Sequence, residues 1–237
     1  MPSEHSLHLH GNEAPRTGAE APMSPYTPGR AQAARSSRVG AIFLDKDGTL
    51  VEDVPYNVDP EQMRFAPGAR EGLQALARCG LPLIVVSNQS GIALGRFDEV
   101  ALDAVHLRLA EMFDDAGADL ADFYYCPHHP DGTVRKYAVA CDCRKPASGL
   151  FEQAARERRV ALDQSWMIGD ILHDIEAGRR VGCQTILIDN GNETEWQLTP
   201  ERTPHFRCPD FAAAARVVCE QLALAQASGP TTQGSKT

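Results

Sequence analysis

The chain has 237 residues, with 32 acidic against 23 basic side chains and a formal net charge of -9. That balance argues against nucleic acid or an anionic membrane as the main partner, because both need a basic face. No apolar run approaches the roughly 20 residues that span a bilayer, and the N-terminus lacks the apolar segment of a signal peptide, so the expected location is the cytoplasm.

Residues 1–38 carry Pro2, Pro15, Pro22, Pro25 and Pro28 among small and polar residues, and they read as a disordered arm. Residues 39–227 are long enough for one well-filled domain, and 228–237 read as a second disordered tail. Val39 to Leu44 is a short, continuous apolar run and reads as a buried strand that ends on Asp45 and Asp47. The stretch Gly48 to Arg64 is dense in turn residues, and Pro67 suits the start of a helix that stops at Gly80.

Leu83 to Val86 reads as a second strand, closing on Ser87, Asn88, Gln89 and Ser90. Phe97 to Gly117 has helical apolar spacing, and Asp122 to Cys126 reads as a third strand. Cys126 to Lys145 is expected to be an irregular loop. Beyond it come a helix over Gly149 to Val160, a strand over Trp166 to Ile168 running into Gly169 and Asp170, and a helix over Ile171 to Val181. A strand over Thr185 to Ile188 and a helix from about Asp210 to Ala227 close the chain. Alternating strands and helices imply an α/β fold, a Rossmann-like three-layer parallel sheet with helices on both faces. The polar clusters follow strands, so they converge at the carboxyl edge of the sheet.

Two close carboxylates repel, and a divalent cation is the usual remedy. Asp170 ends a later strand and supplies a third acid, with Asp174 one helical turn on, a set suited to Mg²⁺. An Asp-x-Asp-Gly sequence by itself is equally an ordinary loop or part of a calcium loop. The preceding strand, the absence of the other calcium-loop ligands and the matching Gly169-Asp170 favour the catalytic reading. Cys126-Pro127-His128 and Cys141-Asp142-Cys143 offer three thiols and an imidazole from two short hooks, a set that suits tetrahedral Zn²⁺, with His129 as an alternative to His128. A filled coordination shell makes such a metal structural. The clamp would fix Arg144 and Lys145, which follow directly.

Phe43-Leu44-Asp45-Lys46-Asp47-Gly48-Thr49 resembles the first motif of the haloacid dehalogenase superfamily phosphatases. Ser87 resembles the second motif, Lys145 the third, and Gly169-Asp170 with Asp174 the fourth. The resemblance implies Asp45 as nucleophile and Asp47 as the acid and base. It also implies Mg²⁺ on Asp45, the Asp47 carbonyl and Asp170, and phosphate contacts from Ser87 and Lys145. Cys126-Pro-His-His-Pro with Cys141-Asp-Cys-Arg144-Lys145-Pro146 narrows the likeness to the D-glycero-D-manno-heptose 1,7-bisphosphate phosphatases, with histidinol-phosphate phosphatases as relatives.

In that family the segments matching Asp53, Val54, Pro55 and Tyr56, and Ser87, Asn88, Gln89 and Ser90, contact substrate, and Arg144 would read a second phosphate. Neither Thr49 to Pro67 nor Gly91 to Phe97 is long enough for a cap domain, so a capless enzyme with the zinc-bound loop as pocket wall is expected. The sequence departs from the family at Ala147-Ser148, where a proline precedes the Gly-Met, and at Ile171 and His173. A monomer is expected, and the likeness implies action on a small phosphorylated sugar, supplying lipopolysaccharide or another glycan. A non-catalytic sugar-phosphate binding protein is the alternative class, and the Asp189 to Trp196 loop has no role in the expected mechanism.

Overall fold

The structure is a computed structural model that describes residues 38–228. The expected disordered arm and tail therefore lie outside the described residues, apart from Arg38 and Ser228. Six strands form one sheet: β1 (Ile42–Leu44), β2 (Leu83–Asn88), β3 (Leu120–Cys126), β4 (Trp166–Gly169), β5 (Gln184–Ile188) and β6 (Phe206–Cys208). All neighbours are parallel, in the order β3-β2-β1-β4-β5-β6. The chain reverses its direction of strand addition between β1 and β4, the place where open parallel sheets leave a crevice at their carboxyl ends.

Strand alternation decides which core each residue joins. Ile42 and Leu44 meet Leu73 of α1 (Ala69–Ala77), Val105 and Leu109 of α2 (Ala101–Asp115), and Phe211 and Val218 of α5 (Phe211–Ala227). Phe43 points the other way, onto Leu150 and Phe151 of α3 (Gly149–Arg158), its ring 4.8 Å from that of Phe151. Leu187 of β5 meets Leu172 and Ile175 of α4 (Leu172–Arg180) on the α3 side. Each such side chain fully buried contributes about 1.5–3 kcal/mol. This places three helices on one face and two on the other, the expected three layers.

Three details differ from the sequence reading. Helix α1 begins at Ala69, because Gly68 takes a left-handed φ of 75° and leaves Pro67 outside. Helix α2 begins at Ala101, because Phe97 folds back over Gly91, where an added Cβ would lie 2.2 Å from the ring. Strand β6 is new: three residues at a sheet edge are too few for any periodic signal. Among the scattered cysteines, Cys183 and Cys208 are buried, whereas Cys79, in the turn after α1, and Cys219 of α5 bring their sulfurs to 2.8 Å. Among the described residues no helix is long and apolar enough to cross a membrane.

Candidate active site

The carboxyl ends of β1, β2 and β4 present Asp45, Ser87 and Asp170 side by side, with the Asp45 N–H donating to the Ile168 carbonyl at 3.0 Å. Asp174 joins them from the first turn of α4. A Cβ on Gly169 would lie 2.4 Å from the Asp174 carboxylate, so only glycine admits that approach. Asp45, Asp170 and Asp174 are all buried and bring carboxylate oxygens within 4.8 Å of one another.

One ammonium answers these three acids. Lys145, 2 % exposed, binds Asp45, lies 2.7 Å from Asp174 and donates to the Val86 carbonyl at 2.8 Å. Burial alone would lower its pKa, but Asp174 and Asp45 outweigh it and hold the amine charged. Burial, with repulsion from Asp174, Asp170 and Asp47, pushes Asp45 well above the usual carboxylate range despite Lys145. Burial and Asp174 push Asp170 up to about 6, against the hydrogen bonds from Asn192 and Thr49. Ionised, the three acids and one lysine leave two negative charges unanswered in a buried site. That imbalance and the all-oxygen donor set fit a hard divalent cation such as Mg²⁺.

The Asp47 carboxylate stands apart from this cluster. It pairs with Lys46 at 2.6 Å and accepts from Gln89 at 3.1 Å, and its side chain keeps 32 % of its surface exposed. The position suits proton exchange with a bound group and with water. Gln89 also donates to the Ser87 hydroxyl at 2.7 Å, and its N–H donates to the Cys126 carbonyl at 2.8 Å, so it ties Asp47 and the end of β2 to the end of β3. Asn88, expected at the substrate, turns instead to the main chain of Lys145: it accepts from the Lys145 N–H at 2.9 Å and donates to its carbonyl at 3.0 Å. No apolar pattern could have revealed this pairing across 57 residues.

The loop that had no expected role reaches the same place. Asn192 donates to Asp170 at 2.7 Å, Asn190 donates to the Gly48 carbonyl at 2.8 Å, and the Leu172 N–H donates to Glu193 at 2.5 Å. The only hint in sequence was a run of short polar side chains directly after a strand.

Cys126, at the end of β3, meets Cys141 at 3.5 Å and Cys143 at 3.1 Å, and Cys141 and Cys143 lie 3.3 Å apart. The His128 Nδ1 lies 3.3 Å from Cys143. These sulfurs are too far apart for disulfides, with bonds of about 2.05 Å. They approach the sulfur spacing of about 3.8 Å that a tetrahedral ion with Zn–S bonds of about 2.3 Å would set. Hydrogen bonding with Cys126, and then with His128 and Cys141, pulls the Cys143 thiol down to about 5, despite burial. His128, rather than His129, completes the set; His129 turns its Nδ1 to the Asp131 N–H.

The loop between the hooks lies over the turn after β2, with the Thr133 and Val134 N–H groups donating to the Ala93 carbonyl at 2.8 and 2.9 Å. Only a single-turn helix at Pro60–Gln62 interrupts the path from β1 to α1, and among the described residues no further domain stands between the strands and their helices, as a capless crevice requires. Arg144 is half-buried, its guanidinium 3.4 Å from the His128 carbonyl. Tyr56 is held at a φ of 57° with its ring under Arg96, 5.5 Å away. Partial burial and the Asp47 charge raise the pKa of neighbouring Asp53. Val54 and Pro55 are exposed beside it, and Ser90 is half-buried at the turn after β2.

The HAD-hydrolase-like family model matches residues 142–214. A D-glycero-beta-D-manno-heptose-1,7-bisphosphate 7-phosphatase of Photorhabdus laumondii is 43 % identical over 155 residues, covering 63 % of this chain and 80 % of the relative. The chain belongs to the haloacid-dehalogenase-like phosphatases. A second member, the heptose bisphosphate phosphatase of Escherichia coli K12, is 37 % identical over 164 residues, covering 69 % of this chain and 84 % of its own. Among solved structures, D,D-heptose 1,7-bisphosphate phosphatase from B. bronchiseptica, complexed with magnesium and phosphate, superposes with a TM-score of 0.67 at 31 % identity. That match covers 77 % of this chain and 99 % of the other. As a phosphatase of this family the chain hydrolyses phosphomonoesters, and its parallel sheet and cysteine loop are those expected from the motifs.

Proposed function

We propose that this phosphatase removes the 7-phosphate of D-glycero-D-manno-heptose 1,7-bisphosphate. The observation that carries the reading is the buried set Asp45, Asp170, Asp174 and Lys145, placed directly beside a loop whose three cysteines and one histidine converge. The relatives' substrate, named above, agrees with it.

Asp45 attacks phosphorus in line, forming an Asp45 carboxylate oxygen–phosphorus bond as the bond to the sugar oxygen breaks. Asp47 donates a proton to the leaving oxygen, then takes one from the water that attacks the aspartyl phosphate, releasing inorganic phosphate and restoring Asp45. Ser87 and Lys145 bind phosphoryl oxygens. Asp45, Asp170 and the Asp47 carbonyl would hold Mg²⁺, which supplies charge neutralisation on the phosphoryl group. Asn88 and Gln89 hold Lys145 and Asp47 in register, while Ser90, Asp53, Val54, Pro55 and Tyr56 line the sugar side. Cys126, His128, Cys141 and Cys143 would hold structural Zn²⁺, fixing Arg144 where its planar fork reads the second phosphate of a monomeric enzyme's sugar substrate.

A panel of phosphate esters tests the assignment by kcat/KM. The heptose 1,7-bisphosphate is expected to lead, with histidinol phosphate and simple sugar monophosphates well behind. Faster hydrolysis of histidinol phosphate would overturn the substrate, and hydrolysis of none would favour a binding protein.

A further inference from the structure

We propose that the segment from Asn190 to Glu193 braces the cation site, with Asn192 as the positioning residue for Asp170; the inference rests on the magnesium reading above. Three consecutive polar contacts support it, and each ends on a different part of the site. Asn190 uses both ends of its side chain: its oxygen accepts from the Asn192 N–H at 3.1 Å, shaping the turn, and its amide donates to the Gly48 carbonyl. Asn192, an exposed residue in a largely exposed loop, nevertheless sends its amide inward to Asp170 Oδ2 at 2.7 Å. Glu193 then receives the first N–H of α4 and, with its other oxygen, the Glu195 N–H at 2.6 Å.

The effect on Asp170 follows from donor counting. Thr49 donates to Oδ1 at 3.0 Å and Asn192 donates to Oδ2, so both oxygens are held and the carboxylate plane cannot swing. An ionised carboxylate has about four lone-pair sites, so each oxygen still has one for a cation. The brace closes tightly: a Cβ on Gly48, which has a φ of 81°, would lie 2.1 Å from Asp170 Oδ2 and 2.5 Å from the Asn192 amide. Gly48 therefore does more than turn the chain after Asp47, because its missing side chain is the space through which the loop reaches the acid. Glu193 adds a negative charge at the positive end of α4, which anchors the loop without drawing on the charges of the site. Asn192 touches a ligand-type oxygen and no reacting atom, so its part is orientation of Asp170.

Outer partners of metal ligands are typically worth about 10- to 100-fold in metal affinity. Calorimetric titration of Mg²⁺ into zinc-retaining protein dialysed free of magnesium, with no substrate present, tests the assignment. Asn192→Ala is expected to weaken Mg²⁺ binding by about tenfold or more, and Asn192→Ser, which keeps a shorter donor, by less. At saturating Mg²⁺ the Ala variant should recover kcat to within about threefold, with KM for the phosphate ester and the metal-free melting temperature unchanged. A merely structural contact would move the melting temperature and leave the Mg²⁺ affinity alone. Wild-type affinity in both variants would overturn the brace and leave the magnesium site standing. No uptake of Mg²⁺ by the wild-type protein would overturn both.

Discussion

The carboxylate cluster and the thiol cluster flank the end of β2, yet they are built in opposite ways. Asp45, Asp170 and Asp174 sit at the ends of strands and in the first turn of a helix, at most 8 % exposed, in positions that the packed sheet dictates. Three of the four Cys/His residues are only half-buried and hang on a segment with no helix or strand between β3 and α3. In the first region the scaffold creates the site and leaves it electrically incomplete. In the second, turn hydrogen bonds replace strand and helix ladders, and on the proposed reading a bound zinc ion would add the remaining cohesion. The first region should therefore lose chemistry before structure, and the second structure before chemistry.

The sharpest break of that contrast is Asp45→Asn, which keeps the volume and a hydrogen-bonding group beside Lys145. Turnover is expected to fall by about four orders of magnitude, with the melting temperature close to wild type, measured by phosphate release and calorimetry. A residual rate within about tenfold of wild type would remove Asp45 from the attacking role. Lys145→Met should damage both properties, because it leaves buried carboxylates without their cation. A loss of about 3–5 kcal/mol in urea unfolding is expected, together with loss of activity.

Cys143→Ser examines the other region. Metal analysis should show about one equivalent of zinc in the wild type and much less in the variant, with a lowered melting temperature. Activity per folded molecule should fall through a raised KM, because Arg144 and Lys145 follow the altered hook. The smallest effect concerns pH. Burial and the Asp174 charge push Asp170 up to about 6, so on the proposed reading Mg²⁺ would compete there with a proton. The Mg²⁺ concentration for half-saturation should therefore be flat above about pH 7 and rise by up to about tenfold per unit below 6. The Cys/His site should show its own, separate acid release of zinc.

The contrast also governs what was readable from sequence. Central strands had to be apolar on both faces, so β1, β2, β4 and β5 and the acids at their ends stood out, as did the cysteine spacing. What escaped was set by single polar contacts over long separations. Asn88 holding the Lys145 main chain and Asn192 holding Asp170 obey no period, and a loop residue's partner depends on where the finished sheet places both. Strand β6 escaped because its pairing with β5, rather than its three residues, makes it a strand. Helix starts shifted where Gly68 and the Phe97 contact with Gly91 overrode the apolar pattern.

The surroundings of Lys145 carry one more consequence. The Lys145 ammonium donates to Asp45 and to the Val86 carbonyl and forms an ion pair with Asp174 at 2.7 Å. All three acceptors crowd the cation at rest. In the proposed mechanism an arriving phosphoryl oxygen would compete with these acceptors, and Asp45 is the one whose oxygen would become bonded to phosphorus. On that mechanism the lysine would change partners as the reaction advances, handed from carboxylate to phosphate while Asp174 and the strand carbonyl keep it in place.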